Sequence, residues 1–375
     1  MTRPAYHTLA IFLTWTSLAG QFCCGQSEPG EPSNAEATSE TETKERDRDL
    51  VQKIAAEVKA KDHWVTLIES SGGAGTGFIV KRPDGVWLYS AAHVFNGKEK
   101  PKVTDNQGNT HKIEDTVHLA PDADIARVKM VDMLAGGFEL ETENPPKDGD
   151  QIVASGNSGG AAVIRNIDGE ILGVGPDQFE VSNNVVPGNS GGPVFSLKTG
   201  KVIGLVTHGV SGNKDKWNNG TGFDEVRRFA ARLDRDIKWE KTTFERLGKE
   251  VAYLDKFSDD SQLLAILCLI RPTTKGFNVS SLPDEAKLFL SENQERRTVK
   301  ELMALNSNLA GSNMNKSIND LKKRYKRFFI KAKSRIDGKK IDAKHFSVAN
   351  RAVAEAAHEQ RQEIIEALET KIKAL

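Results

Sequence analysis

Apolar and polar positions follow two different rhythms along this chain, and the change comes near residue 236. Up to that point apolar residues alternate with polar ones or gather in short runs, as in WVTLIES, Gly75 to Phe95 (GTGFIVKRPDGVWLYSAAHVF), Pro121 to Met130 (PDADIARVKM), QIVAS and PVFSLKTGKVIGLVTHGV. Turn formers separate the runs at Pro83 to Gly85, Asp105 to Asn109 (DNQGN), Ile167 to Glu170 (IDGE) and Lys198 to Lys201. Short period-two runs between such signals are the mark of antiparallel strands. They predict an all-β double barrel, with two six-stranded barrels over residues 51–235. VQKIAAEVKA has helical spacing and predicts a short helix ahead of the first strand, and DEVRRFAARL (Asp224 to Leu233) reads as a helix closing the domain. From 236 to 375 the period becomes helical. Phe346, Ala349, Val353, Ala356, Ile364, Leu368, Ile372 and Leu375 fall largely at three- and four-residue steps, which predicts a mainly α-helical C-terminal region.

The two ends of the chain have their own composition. Residues 1–24 hold an early arginine, an apolar run too short to span a bilayer comfortably and small residues at Ser17 and Ala19, which predicts a signal peptide and an exported protein, periplasmic or secreted. Cys23 and Cys24 raise lipid anchoring as an alternative, against a poor match to a lipidation box. Residues 25–50 are polar, acidic and nearly free of apolar side chains, so they cannot form a core and predict a disordered linker. If both early cysteines leave with the signal, Cys268 is alone and no intrachain disulfide can form. The formal net charge is +0, from 52 basic and 52 acidic residues, so no global charge points to nucleic acid. One local cluster, Lys322, Lys323, Arg324, Lys326 and Arg327, could meet an anionic surface; packing through Leu321, Tyr325, Phe328 and Ala332 with the charges in water explains it as well. QLLAILCLI (Gln262 to Ile270) suits a buried helix or strand rather than a membrane segment.

Candidate chemistry centres on VVPGNSGGPVF, Val185 to Phe195, where Ser190 lies in a glycine-rich turn between apolar segments. Gly188, Gly191 and Gly192 allow backbone angles closed to other residues, so the amides of Gly188 and Ser190 could converge as an oxyanion hole. A second GNSGG, Gly156 to Gly160, follows QIVAS and reads as a structural loop with Ser158 outside the site. A nucleophilic serine needs a base and an orienting acid. His93 stands just past a predicted strand, and Asp124 heads another.

Together GTGFIV, SAAH, DIARVK, PGNSGGPVF and VIGLVTHG, in this order, resemble the chymotrypsin-like serine proteases, and within them the bacterial HtrA/Deg-type group, over roughly residues 55–235. The resemblance implies a serine endopeptidase that acts through an acyl-enzyme on exported or misfolded polypeptides, with Ser190 as nucleophile, His93 as base and Asp124 as its orienting acid. Asp122 is the rival acid, but only Asp124 is followed by the apolar–Ala pair of the family pattern. The site would lie in the cleft between the barrels. Asn189 stands where the digestive members carry an Asp that pairs with a new N-terminal ammonium, so no N-terminal cleavage is expected to switch this protein on. Substrate would lie along Val206 to Gly209, with Thr207, His208 and Gly209 on the edge and Val185 at the pocket base. The uncharged stretch Asn184 to Val186 predicts small or medium aliphatic residues before the cleaved bond. No cofactor or metal is expected. The region 236–375 shows no glycine-containing carboxylate-binding loop of the PDZ type, the usual companion domain in the HtrA group. Two other readings use the same residues: a catalytically silent protease-like module that binds a peptide or partner, and cleavage of esters by the same acyl chemistry.

Overall fold

A computed structural model describes residues 49, 51–71, 73–132, 134–211, 226–270, 272–273, 276–277, 282–296, 299–301 and 314–375. The expected signal peptide, with Cys23 and Cys24, and nearly all of the expected linker lie outside them. Residues 51–60 form the expected helix, here α1, which buries Ile54 and Val58 against the first barrel's core.

The first sheet is built from β1 (Val65–Ser70), β2 (Gly73–Arg82), β3 (Gly85–Ser90), β4 (Lys102–Asp105), β5 (Thr110–His111), β6 (Ile113–Leu119), β7 (Ala126–Met130) and β14 (Glu240–Thr243). Its order is β14-β6-β7-β3-β2-β1-β4-β5, an open eight-stranded half-barrel rather than the closed six-stranded barrel expected. The two extra strands have local causes. At DNQGN, Asp105 Oδ1 accepts from the amides of Gln107 and Asn109, each at 2.9 Å, folding β5 back on β4. At the other end β14, from beyond residue 235, pairs with β6, with Thr242 opposite Val117. The second sheet is a closed six-stranded barrel of β8 (Gln151–Asn157), β9 (Ile164–Val174), β10 (Gln178–Val181), β11 (Pro193–Ser196), β12 (Val202–Ser211) and β13 (Val226–Arg232), in the order β10-β13-β12-β11-β8-β9.

Two local expectations give way to this barrel. Residues 226–232 form strand β13, not a helix: Arg and Ala favour helix, but the vacant place between β10 and β12 overrides that preference. IDGE is no turn either. It lies inside β9, where Ala154 faces Ile167 and Ile152 faces Gly169. The Asn183 side chain occupies the space a Cβ at Gly169 would need.

The helical region holds α2 (Phe244–Leu269), α3 (Asp284–Glu292), α4 (Met314–Asp337) and α5 (Val348–Ala374), with the strand pair β15 (Pro272–Thr273) and β16 (Gly276–Phe277). Thr243 caps α2, its Oγ1 accepting from the Arg246 amide at 3.2 Å. Phe244 and Leu247 then enter the first barrel's core, while Leu254, Phe257, Leu263, Leu264, Ile266 and Leu267 build a second core with α4 and α5. QLLAILCLI is thus mostly the inner face of α2, and no helix among the described residues is long and apolar enough to cross a membrane. On α4, Tyr325, Phe328 and Ala332 are buried, while Lys322, Lys323, Lys326 and Arg327 are exposed and Arg324 pairs with Asp320 at 2.8 Å. The inward stripe of α5 is Asn350, Ala354, Ala357, Ile364 and Leu368. Val353 and Ala356, expected inside, are exposed, because the first turns are set by Asn350, which is fixed in a buried polar cluster.

Candidate active site

His93 is on a short 3₁₀ turn, Ala92–Phe95, that leaves β3 and buries Ala92, Val94 and Phe95. The imidazole itself stays half exposed. Its Nδ1 lies 2.6 Å from Oδ2 of Asp124, and the His93 amide donates to Asp124 Oδ1 at 3.0 Å. One carboxylate thus holds both the ring and the backbone of the turn. Asp122 is not there; Arg235 Nη1 donates to its Oδ2 at 2.6 Å. Burial pushes the His93 pKa down, but the hydrogen bond and charge of Asp124 outweigh it, and the net shift is upward. Burial alone would raise the Asp124 carboxyl, yet the bonds and charge from His93 hold it below the usual carboxylate range.

Ser190 lies in the loop before β11, and its neighbours explain the glycines. Gly188 has φ +97°, and a Cβ there would stand 2.2 Å from the Asn157 carbonyl oxygen; at Gly191, φ +85°, it would stand 2.1 Å from Ser90 Oγ. Thr76 of β2 ties the loop to the first sheet. Its Oγ1 donates to Gly188 O at 2.6 Å and accepts from the Asn157 amide at 2.9 Å, and its own amide donates to Ser190 O at 2.9 Å. The Gly191 amide is taken by Val206 O and the Gly192 amide by Asn189 O. The amides of Gly188 and Ser190 donate to no backbone carbonyl of the described residues. Ser190 Oγ donates to Thr207 O at 3.3 Å and makes no hydrogen bond to His93.

Asn189 is buried and satisfied without charge: its Oδ1 accepts from the Val186 amide at 2.9 Å and its Nδ2 donates to Ser158 Oγ at 3.1 Å. The first GNSGG therefore buttresses the second, through Ser158 and through the Gly159 amide on Pro187 O at 2.8 Å. This contact was not foreseen; the repeated motif was its one signal. Of the expected substrate-binding residues, Thr207, His208 and Gly209 are together on β12. Thr207 is buried, its Oγ1 donating to Phe229 O at 3.1 Å, while His208 is exposed and its ring stacks on Phe229 at 5.2 Å. Burial lowers the His208 pKa, with Asp124 pulling it up and His93 down. Val185 packs against the second barrel's core.

The helical region supports the His93 turn from behind. Phe244 meets Phe95 edge-on at 5.9 Å, and Gly248 lies so close to Lys98 that a Cβ would stand 2.4 Å from its carbonyl oxygen. Asn96 Nδ2 donates to Asn350 Oδ1 at 2.5 Å. Asn350 Nδ2 and the Ser347 amide donate to the buried Glu250, each at 3.0 Å. Helical periodicity marks such positions only as polar interruptions of a stripe.

Comparison with known proteins covers the β region. Residues 75–205 match the family described as a trypsin-like peptidase domain. Among solved structures, the chain is 21% identical to Rv3671c from M. tuberculosis H37Rv in an inactive form, covering 47% of this chain and 84% of that one at a TM-score of 0.37. It is 20% identical to the serine endoprotease from Yersinia pestis, covering 46% and 59% at a TM-score of 0.35. No curated protein matches. The part of the chain that matches a trypsin-like peptidase domain, residues 75–205, thus lies on the two β-sheets that carry His93, Asp124 and Ser190.

Proposed function

We propose that this protein is a serine endopeptidase, with Ser190 as nucleophile, His93 as general base and then acid, and Asp124 as the residue that holds the imidazole. The observation that carries the reading is the pair of Asp124 contacts to His93, at 2.6 and 3.0 Å, beside a serine on a turn with two free amides. Asp124 accepts from Nδ1–H, which leaves the lone pair on Nε2 for the serine proton. Ser190 Oγ attacks the carbonyl carbon of the cleaved bond and its proton passes to His93 Nε2. The amides of Gly188 and Ser190 receive the oxyanion. The C–N bond then breaks, the amine takes the proton from His93, and the acyl group remains on Oγ. Water repeats the sequence, giving the acid and restoring the serine.

Substrate backbone has a place to bind. β11 pairs with β12 only as far as Leu205, so beyond Val206 the cleft-facing edge of β12 has no strand partner among the described residues. An extended peptide adding there would gain main-chain hydrogen bonds. The satisfied, neutral Asn189 supports a site assembled without a new N-terminal charge.

One observation favours the silent, peptide-binding reading: the resting Ser190 hydroxyl points to Thr207 O. At 3.3 Å that is a long O–H···O contact, and rotation about one side-chain bond frees it. Catalytic hydrogen bonds are often loose until substrate arrives. The discriminating experiment is digestion of an unfolded polypeptide by the wild-type protein and by Ser190→Ala. New peptide termini in the first digest alone support the peptidase; binding with no cleavage in either supports the silent module.

A further inference from the structure

Specificity has a determinant that the uncharged stretch 184–186 does not reveal. β13 runs antiparallel to β12, with His208 opposite Phe229 and Gly209 opposite Arg228. Successive side chains of a strand turn to opposite faces. Arg227 turns to the face of Phe229 and grips Glu180 through Nε at 2.8 Å and Nη2 at 2.5 Å. Arg228 turns the other way, to the side of Ala230, which is fully buried in the barrel. There its Nε donates to Val185 O and its Nη1 to Val226 O, each at 3.1 Å. A cation, contributed by a strand 43 positions further along the chain, therefore braces the segment that leads into the nucleophile turn.

The charge has no counter-ion among the described residues. Arg228 is half-buried, both its bonds go to neutral carbonyls, and no carboxylate of the described residues pairs with it. A guanidinium has five N–H donors, so most of this fork remains unused. Opposite it stands Gly209, which puts no side chain of its own between the β12 edge and Arg228; even an added Cβ would make only ordinary contacts, 3.4 Å to Val226 Cγ1 and 3.5 Å to Arg227 O. A half-buried guanidinium with unused donors, across from a glycine on the edge next to the Ser190 turn, is suited to a carboxylate, which it meets with two parallel charge-assisted bonds.

We propose that Arg228 sets the specificity of this site, and that the residue on the acyl side of the cleaved bond is acidic, glutamate or aspartate. The inference rests on the serine-peptidase reading and replaces the aliphatic preference expected from residues 184–186: those residues carry no charge, but β13 brings one to them.

The test is a matched set of chromogenic peptides, identical except for Glu, Asp, Gln, Ala, Val or Lys before the cleaved bond, read as kcat/KM for wild type, Arg228→Gln and Arg228→Lys. Wild type should cleave the Glu peptide about 10- to 100-fold faster than its uncharged isostere Gln, the range expected of a charged hydrogen bond. In Arg228→Gln that ratio should collapse to near one. Arg228→Lys, which keeps the charge without the fork, should give an intermediate ratio. The ratio is internal to each protein, so a general loss of activity does not imitate it. If Arg228→Gln does not fold, wild type and Arg228→Lys decide. Cleavage with a Glu/Gln ratio near one, faster cleavage of the Ala or Val peptides, or a ratio untouched by either substitution would overturn the inference and leave the peptidase reading standing, with Arg228 as a strut for Val185. Failure to cleave any peptide would count against the peptidase reading beneath it, and this inference would fall with it.

Discussion

At the scale of single residues, Asp124 and Asn189 do opposite things with charge. Asp124 keeps its negative charge and spends both oxygens on His93, which raises the affinity of the imidazole for a proton. A base must be neutral to act, so activity should appear only as pH rises through a His93 pKa lying above the ordinary 6.5. Asp124→Asn removes the charge that raises it. The acid limb of kcat/KM against pH should then move to lower pH, while turnover falls by roughly 10⁴, the loss found when the acid of a Ser-His-Asp site is replaced. A limb that stays in place would separate Asp124 from the titration. Asn189 is the neutral counterpart, buried with an amide donor on one side and a hydroxyl on the other. Asn189→Asp would bury a carboxylate with no cation bonded to it, a change expected to cost several kcal/mol. Thermal unfolding of that variant should begin well below wild type; an unchanged midpoint would mean that a cation reaches this position after all.

At the scale of elements, the site hangs between strands of both sheets and is backed by two helices. Thr76 of β2 fastens the Ser190 turn to the first sheet, while α2 and α5 close on the other side of the His93 turn. Glu250 is the joint between those helices. Glu250→Ala removes the buried acceptor shared by the Ser347 amide and Asn350 Nδ2, a loss of about 1–3 kcal/mol. It also loosens the Asn350 contact to Asn96, three residues past His93. The kinetic signature should be a lower kcat with KM little changed, because the proposed substrate edge on β12 is untouched. A higher KM at constant kcat would show that the helices act on binding instead.

How far each element could be read from sequence follows from where its folding instruction resides. Short apolar runs between turn formers were enough for β1, β2, β3 and β8, since each is buried along much of its own stretch. Ser190, His93 and Asp124 were legible as candidates because glycine and strand-end positions are local signals. β13 was misread because its residues favour helix and only the gap between β10 and β12 makes them a strand. β14 was missed because its partner, β6, lies more than a hundred residues earlier. The contact of Arg228 with Val185 was invisible for the same reason: nothing near Arg228 in sequence says that Val185 will be its neighbour.

Over the whole molecule, two sheets and a helical region converge on one turn-borne serine, and the account depends on that serine being reactive. Each sheet supplies what the other lacks, the half-barrel giving His93 and Asp124 and the closed barrel giving Ser190 and its glycine turn. The helical core, built from α2, α4 and α5, continues out of the half-barrel through β14 and α2, so it packs on the sheet that holds His93. The most direct measurement is intact-mass labelling with a fluorophosphonate probe, on the wild-type protein beside Ser190→Ala and His93→Ala. A single adduct on wild type, mapped to Ser190 and absent from both variants, is the result predicted. An adduct mapped to Ser158, or the same labelling in His93→Ala as in wild type, would contradict it.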